Sequence, residues 1–204
     1  MISFWQGQAV RLRAVEAEDW QFFFAWSTDT YFERYTDSIA FPASRDAVKQ
    51  WAADQATSDP KDDEFRWVIE NLDGENVGTI NTYTCDPRKG TFQYGIAICR
   101  EHWHKGYASE AIRLVLGFFF HELRYQKVNV HIYDFNSDSI ALHRKLGFQH
   151  EGRLRRMGFT DGAYFDWVLM GLTREEFKAS HGTPTPLEAT TSPARSADSN
   201  REGN

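Results

Sequence analysis

Residues 91–133 hold a strand, a glycine-bearing turn, a long amphipathic helix and a second strand in that order, and no other stretch restricts the fold as much. The helix is expected over residues 106–124, where Ala108, Ala111, Ile112, Val115, Leu116, Phe119 and Leu123 recur at helical spacing along one face. The flanking strands are expected at 91–98 and 127–133; in the second, Val128, Val130 and Ile132 alternate with Asn129, His131 and Tyr133. A strand–helix–strand crossover returns the chain in the same direction, so these two strands form a parallel pair. The helix carries an apolar face and needs a sheet to cover it.

The rest of the chain supplies that sheet. Strands are expected at 10–13, 65–71, 76–84, 148–154 and 165–172, and further helices at 16–26, 44–56 and 137–146, the last closed by Gly147. Asp73-Gly74 marks a hairpin, and Asp86-Pro87 with Gly90 marks the next turn. An antiparallel meander thus precedes the parallel crossover. The fold class is α/β (α+β): a mixed, mostly antiparallel six- to seven-stranded sheet flanked by about four helices. One domain is expected over 1–179. From 180 to 204 the chain is Ser, Thr, Pro, Ala and charged residues with Leu187 its one large apolar side chain, and this stretch is expected to be a disordered tail.

Composition removes several classes of function. With 41% hydrophobic and 15% aromatic residues, the 204-residue chain can pack a core and is not disordered as a whole. A net charge of −6 without a basic block argues against nucleic acid. Cys85 and Cys99 form no CxxC pair and have no histidine at metal-ligand spacing, which points to free thiols in a reducing, cytoplasmic compartment. Residues 1–10 lack the pattern of a signal peptide, and the longest apolar run, 114–120, is too short to span a bilayer.

The chemistry is expected at the turn before the long helix. Trp103-His104-Lys105-Gly106-Tyr107-Ala108-Ser109 leads from a strand into a helix N-terminus, where successive backbone N–H groups and the helix dipole favour an anion. The turn is neither a Walker A loop nor GxGxxG. From these residues alone, an ordinary strand-to-helix loop is an equal reading.

A resemblance separates the two. Trp103-x-x-Gly106-x-Ala108 resembles the pyrophosphate loop of the GNAT acyltransferase superfamily, Q/R-x-x-G-x-G/A, with Trp103 in place of Gln or Arg and His104 in place of a frequent glycine. About thirty residues on, Asn136-x-x-Ser139-x-x-Leu142-His143-x-Lys145-x-Gly147-Phe148 resembles the family's N-x-x-S-x-x-L-Y-x-K-x-G-F segment. The stretch from Gly147-Phe148 through Glu151-Gly152 to Asp161-Gly162 and Asp166 is similar to ribosomal-protein N-terminal acetyltransferases and their spermidine-acetylating relatives.

The resemblance implies the GNAT fold and an N-acetyltransferase that moves an acetyl group from acetyl-CoA to a primary amine in a ternary complex, without a metal. The acceptor is a protein N-terminus or a small polyamine-like amine, neither nucleic acid nor membrane is a partner, and the expected state is monomer or homodimer. The alternative is a non-catalytic acyl-CoA sensor on the same fold. Cofactor contacts are expected from Ile96 and Ile98 on a splayed strand, from Trp103, His104, Lys105, Gly106, Tyr107, Ala108 and Ser109 in the turn, and from Asn136, Ser139 and His143. Asn136 is equally readable as an N-cap. His143 stands where relatives carry the tyrosine acid, so it is the expected proton donor to the leaving thiolate. In that role it must be charged, which makes the expected pH profile of kcat a bell with a falling limb set by His143. Gln93 stands where relatives often carry a glutamate and cannot act as a base; Glu101 and Glu33 are the carboxylates offered instead. His102 and His104 lack a third partner for a metal.

Overall fold

A computed structural model gives the structure of residues 3–181. Seven strands form one sheet in the order β1-β2-β3-β4-β5-β7-β6. They are β1 (Val10–Ala14), β2 (Arg66–Asn71), β3 (Asn76–Asp86), β4 (Thr91–Ile98), β5 (Lys127–Tyr133), β6 (Gln149–Thr160) and β7 (Ala163–Thr173). Every neighbouring pair is antiparallel except β4 and β5, joined by the long helix α4 (Tyr107–His121). Mixed sheet and parallel pair match the expectation from sequence.

The main core lies between α4 and one face of the sheet. Ala111, Ile112, Val115, Leu116 and Phe119 of α4 pack in one cluster with Val10, Ile80, Phe92, Tyr94, Val128, Val130 and Leu172. The other face is set by register: the cross-strand pairs Arg66↔Asn81, Asn81↔Gly95, Tyr83↔Gln93, Gln93↔Asn129 and Tyr133↔Trp167 put their side chains on one side together. That face carries polar side chains among its aromatics, where the core face is apolar. Over it come α1 (Trp20–Trp26), α2 (Thr30–Thr36) and α3 (Arg45–Thr57), with the Trp26 indole donating to Cys99 Sγ at 2.8 Å.

Six α-helices are present rather than about four. The expected helix over 16–26 divides into a 3₁₀ turn, Ala17–Asp19, and α1, and α2 follows it. Aromatics on every side of this segment hide its period, and the Asp29 side chain caps α2 by accepting from the Phe32 N–H at 3.1 Å. The other addition is α6 (Arg174–His181), after α5 (Ser137–Lys145). Its start is a capping box: Glu176 N–H donates to Thr173 Oγ1 at 3.2 Å and Thr173 N–H to Glu176 Oε2 at 2.8 Å. Helix α6 runs past the expected domain end at 179, and the expected tail lies, from 182 onward, outside the described residues. Among the described residues, no helix is long and apolar enough to cross a membrane.

Candidate active site

Strands β4 and β5 pair only at Thr91↔Lys127, Phe92↔Val128 and Gln93↔Asn129, and beyond Gln93 they diverge. Cys99 N–H donates to Val77 O on β3 at 2.9 Å, so by alternation the peptide groups of Ile96 and Ile98 face the other edge, towards the gap. The Ile98 carbonyl is taken by the Trp103 indole N–H at 2.6 Å. The Trp103 side chain therefore has a task that the loop resemblance does not give it: it closes the end of β4. The peptide of Ile96 stays open to a partner across the gap.

Below the gap the turn into α4 bends sharply. His104 and Gly106 both take positive φ, 61° and 86°. The backbone N–H groups from His104 to Ser109 donate to no other group of the described chain, while Glu110 N–H already closes on Gly106 O. A glycine suits position 106 because its φ is left-handed. Free N–H groups converging at a helix N-terminus fit an anionic pyrophosphate.

A cleft of about 550 Å³ runs along this turn and the gap, lined by Ile96, Ile98, Trp103, His104, Gly106, Tyr107, Ala108, Ser109, Asn136 and Ser139 among others. Lys105 does not line it; its Nζ lies 3.2 Å from His102 Nδ1. His102 is buried and also faces Glu75, at 3.3 Å, whereas His104 reaches towards Asp138 at 3.9 Å. The two histidines thus belong to separate contacts, and among the described residues no group of three or more His, Cys, Asp or Glu is placed to hold a metal ion.

Helix α5 opens on Asn136, whose Oδ1 accepts from Ser139 N–H at 3.1 Å while its amide donates to Tyr35 O at 3.3 Å. Asn136 is therefore an N-cap and also a tie between α5 and α2. Two turns on, His143 is 3% exposed. Its Nδ1 lies 2.7 Å from the Ser139 carbonyl, which can only accept, so Nδ1 carries the proton. Nε2 is then the acceptor for the Tyr94 hydroxyl at 2.8 Å. Burial pushes the His143 pKa down to about 4. Burial, with Tyr83 nearby, raises the Tyr94 pKa well above its ordinary value. Burial and the two hydrogen bonds favour a neutral imidazole over the charged one expected from sequence, and the ring packs against Tyr94 and Phe148.

His143 borders a second cavity, of about 440 Å³, on the polar face of the sheet. Its wall includes Arg66, Asn81, Tyr83, Tyr94, His131, Tyr133 and Trp167, with Asp37 among the residues of α2's end. The two cavities share Tyr35, Thr36, Ile96, Asn136 and Ser139, so they meet at the splay. Two ligands entering from opposite faces would touch there. Burial lowers the pKa of His131, whose ring stacks on Trp167 with centroids 5.0 Å apart. Glu101 and Glu33 line neither cavity. Of the second cavity's wall, the sequence had marked only Ile96, Asn136, Ser139 and His143 as site residues. The signal for His131 and Tyr133 was the polar phase of the strand alternation, Asn129-His131-Tyr133.

A profile described as Acetyltransferase (GNAT) domain matches residues 9–149. The chain belongs to the GNAT acetyltransferase family. It is 44% identical over 181 residues to the SPbeta prophage-derived uncharacterized N-acetyltransferase YokL of Bacillus subtilis strain 168, covering 89% of this chain and 99% of that protein. Spermidine N(1)-acetyltransferase of Escherichia coli K12 is 28% identical, over 86% of this chain and 92% of its own. The crystal structure of spermidine N-acetyltransferase from Vibrio cholerae in complex with CoA and spermine superposes with a TM-score of 0.72 at 23% identity, over 82% of this chain and 97% of that one, and shows the same fold. The protein is an acyl-CoA-dependent N-acetyltransferase.

Proposed function

We propose that the cleft along 103–109 binds acetyl-CoA and that the cavity on the opposite face binds a primary amine, with acetyl transfer where the two meet. The observation that carries this is the shared wall at Ile96, Asn136 and Ser139, which lets an amine reach a thioester without leaving the protein. When bound, acetyl-CoA supplies an acetyl group activated as a thioester. The N–H groups from His104 to Ser109 hold the pyrophosphate, and the open peptide of Ile96 pairs with the pantetheine arm and steadies an oxyanion.

Two side chains handle protons. His131 faces the amine side as a neutral imidazole, engaged in no hydrogen bond among the described residues, and is the proton acceptor in place of Glu101 and Glu33. Tyr94 keeps its proton at any pH where an amine reacts, and His143 holds its hydroxyl by accepting that proton's hydrogen bond. A phenol so placed can turn its proton to a thiolate, which makes Tyr94 the donor and His143 its positioning partner. Both acceptor classes expected from sequence, a protein N-terminus and a small polyamine-like amine, present the primary amine this requires. Relatives named spermidine acetyltransferases, and one solved with CoA and spermine, support an amine acceptor.

Gly106→Val tests the cofactor half. A β-branched side chain at φ 86° strains the turn and covers its N–H groups. Gly74→Val, at φ 82° with equally open space around it, carries similar backbone strain in the hairpin between β2 and β3. CoA affinity measured by calorimetry should fall at least tenfold in Gly106→Val and stay unchanged in Gly74→Val. Equal affinities in the two folded variants would rule out phosphate binding at this turn.

A further inference from the structure

The second cavity lacks the cluster of carboxylates that a polycation would need. Among the residues that line it, Asp37 is the one carboxylate, and it is exposed at the rim. Arg66 lines the interior. Its guanidinium makes no ion pair and no hydrogen bond within the described chain, its neighbour being the Trp51 ring at 5.7 Å. The contrast with Arg13 is direct: that half-buried guanidinium is matched by Asp19 at 2.7 Å and by Glu70. Arg66 is only partly exposed, so its guanidinium gives up hydration without an ion pair in return and is available to an anionic ligand.

The groups around Arg66 are idle in the same way. Trp167 Nε1 is buried with no acceptor. The side chains of Asn81, next to Arg66 across the strands, and of Tyr83 and Tyr133 make no hydrogen bond within the described chain. One buried indole N–H without an acceptor and one guanidinium without a counter-ion in the wall of the same cavity describe a site for an anionic, oxygen-rich group. A planar carboxylate matches the guanidinium fork by two parallel hydrogen bonds, and Trp167 N–H can donate a third.

We infer that the acceptor is an amine that also bears a carboxylate, seated on Arg66 and Trp167 with its amine turned towards Ile96. This rests on the acetyl-transfer reading above and narrows it: a zwitterionic amino compound is favoured over a polyamine. The carboxylate can belong to a free amino acid or to an acidic residue at a peptide's N-terminus. A cavity of about 440 Å³ accommodates either the whole of the first or the leading residue of the second.

The test is a kinetic panel with acetyl-CoA saturating: free α-amino acids, the same amino acids as amides, peptides that begin with an acidic or a neutral residue, and spermidine. The expected result is kcat/KM at least tenfold higher for a carboxylate-bearing amine than for its amide, with spermidine below both. Preference for free amino acids or for acid-first peptides then identifies the source. In Arg66→Met the KM of the preferred carboxylate amine should rise at least tenfold, its amide should be turned over within twofold of wild type, and CoA affinity should not change. Thermal stability should hold, because Arg66 makes no ion pair or hydrogen bond that the change removes; a structural role for Arg66 would lower it. Spermidine as the best acceptor, or an acid-to-amide preference that survives Arg66→Met, overturns the inference while leaving acetyl transfer intact. Failure of every amine in a protein that binds CoA overturns acetyl transfer itself, and this inference with it.

Discussion

His143 changes meaning between sequence and structure. In sequence it occupies the place of a tyrosine acid; in the fold it is buried, neutral and held from both ring nitrogens, with the phenol displaced to Tyr94 on the neighbouring strand. A neutral imidazole with a pKa pushed down to about 4 has no proton to lose between pH 6 and 8. The kcat–pH profile should therefore lack the falling limb that a charged His143 would give, and rise to a plateau as His131 and the amine lose their protons. Tyr94→Phe removes the donor and should lower kcat by roughly 10²-fold with acetyl-CoA binding retained. His143→Gln, which can still accept from Tyr94, should cost less than His143→Ala. A falling limb near pH 6.5 that vanishes in His143→Gln would restore the charged-donor role.

At the scale of elements, two devices fix the site. Helix α5 ends in a Schellman motif: Gly147 at φ 95°, Phe148 N–H on His143 O at 3.0 Å, and Gly147 N–H on Arg144 O at 3.0 Å. The same motif brings Phe148 edge-on to the His143 ring, centroids 5.0 Å apart, so the helix terminus and the positioning of His143 are one arrangement. The second device is Trp103. Its bond to Ile98 O satisfies a carbonyl that the splay deprives of a strand partner. Trp103→Phe keeps the ring volume and loses the donor, so stability in urea should fall by about 1–2 kcal/mol. An unchanged midpoint would show that water serves that carbonyl equally well.

The whole molecule should be acid-sensitive in two stages. His143 binds a proton near pH 6.5 when unfolded and at about 4 when folded. Its contribution is complete above the higher value and declines as pH falls towards the lower, by roughly 3 kcal/mol in all. Burial opposes the Asp19 and Glu70 carboxylates, but Arg13, joined at Glu70 by Arg11, more than offsets it and lowers both pKa values. Their stabilisation is present above the ordinary carboxylate range and is lost as pH falls through their lowered values. Urea midpoints measured from pH 7 to pH 3 should drop first between 6.5 and 4 and again below. His143→Gln should shrink the first decline to the share that His131, whose pKa is also lowered, contributes, and spare the second. A first decline of equal size in that variant would assign it to another group.

The sequence by itself determined the sheet, its parallel pair, the long helix and the glycine-bearing turn before it. Each of these is local: the apolar spacing of Ala111, Val115 and Phe119, the alternation of Val128, Val130 and Ile132, and one glycine before a helix are readable without knowing what lies opposite. Helix α6 was legible too, through Thr173-Arg174-Glu175-Glu176, a capping box that was passed over. The tertiary structure alone decided which polar side chains face one another. Arg66, Asn81, Tyr83, His131 and Trp167 come from four strands up to a hundred residues apart, and they share a wall because register and sheet order put them there. The charge state of His143 was likewise outside the reach of its sequence neighbours, because it is set by burial and by a hydroxyl on another strand.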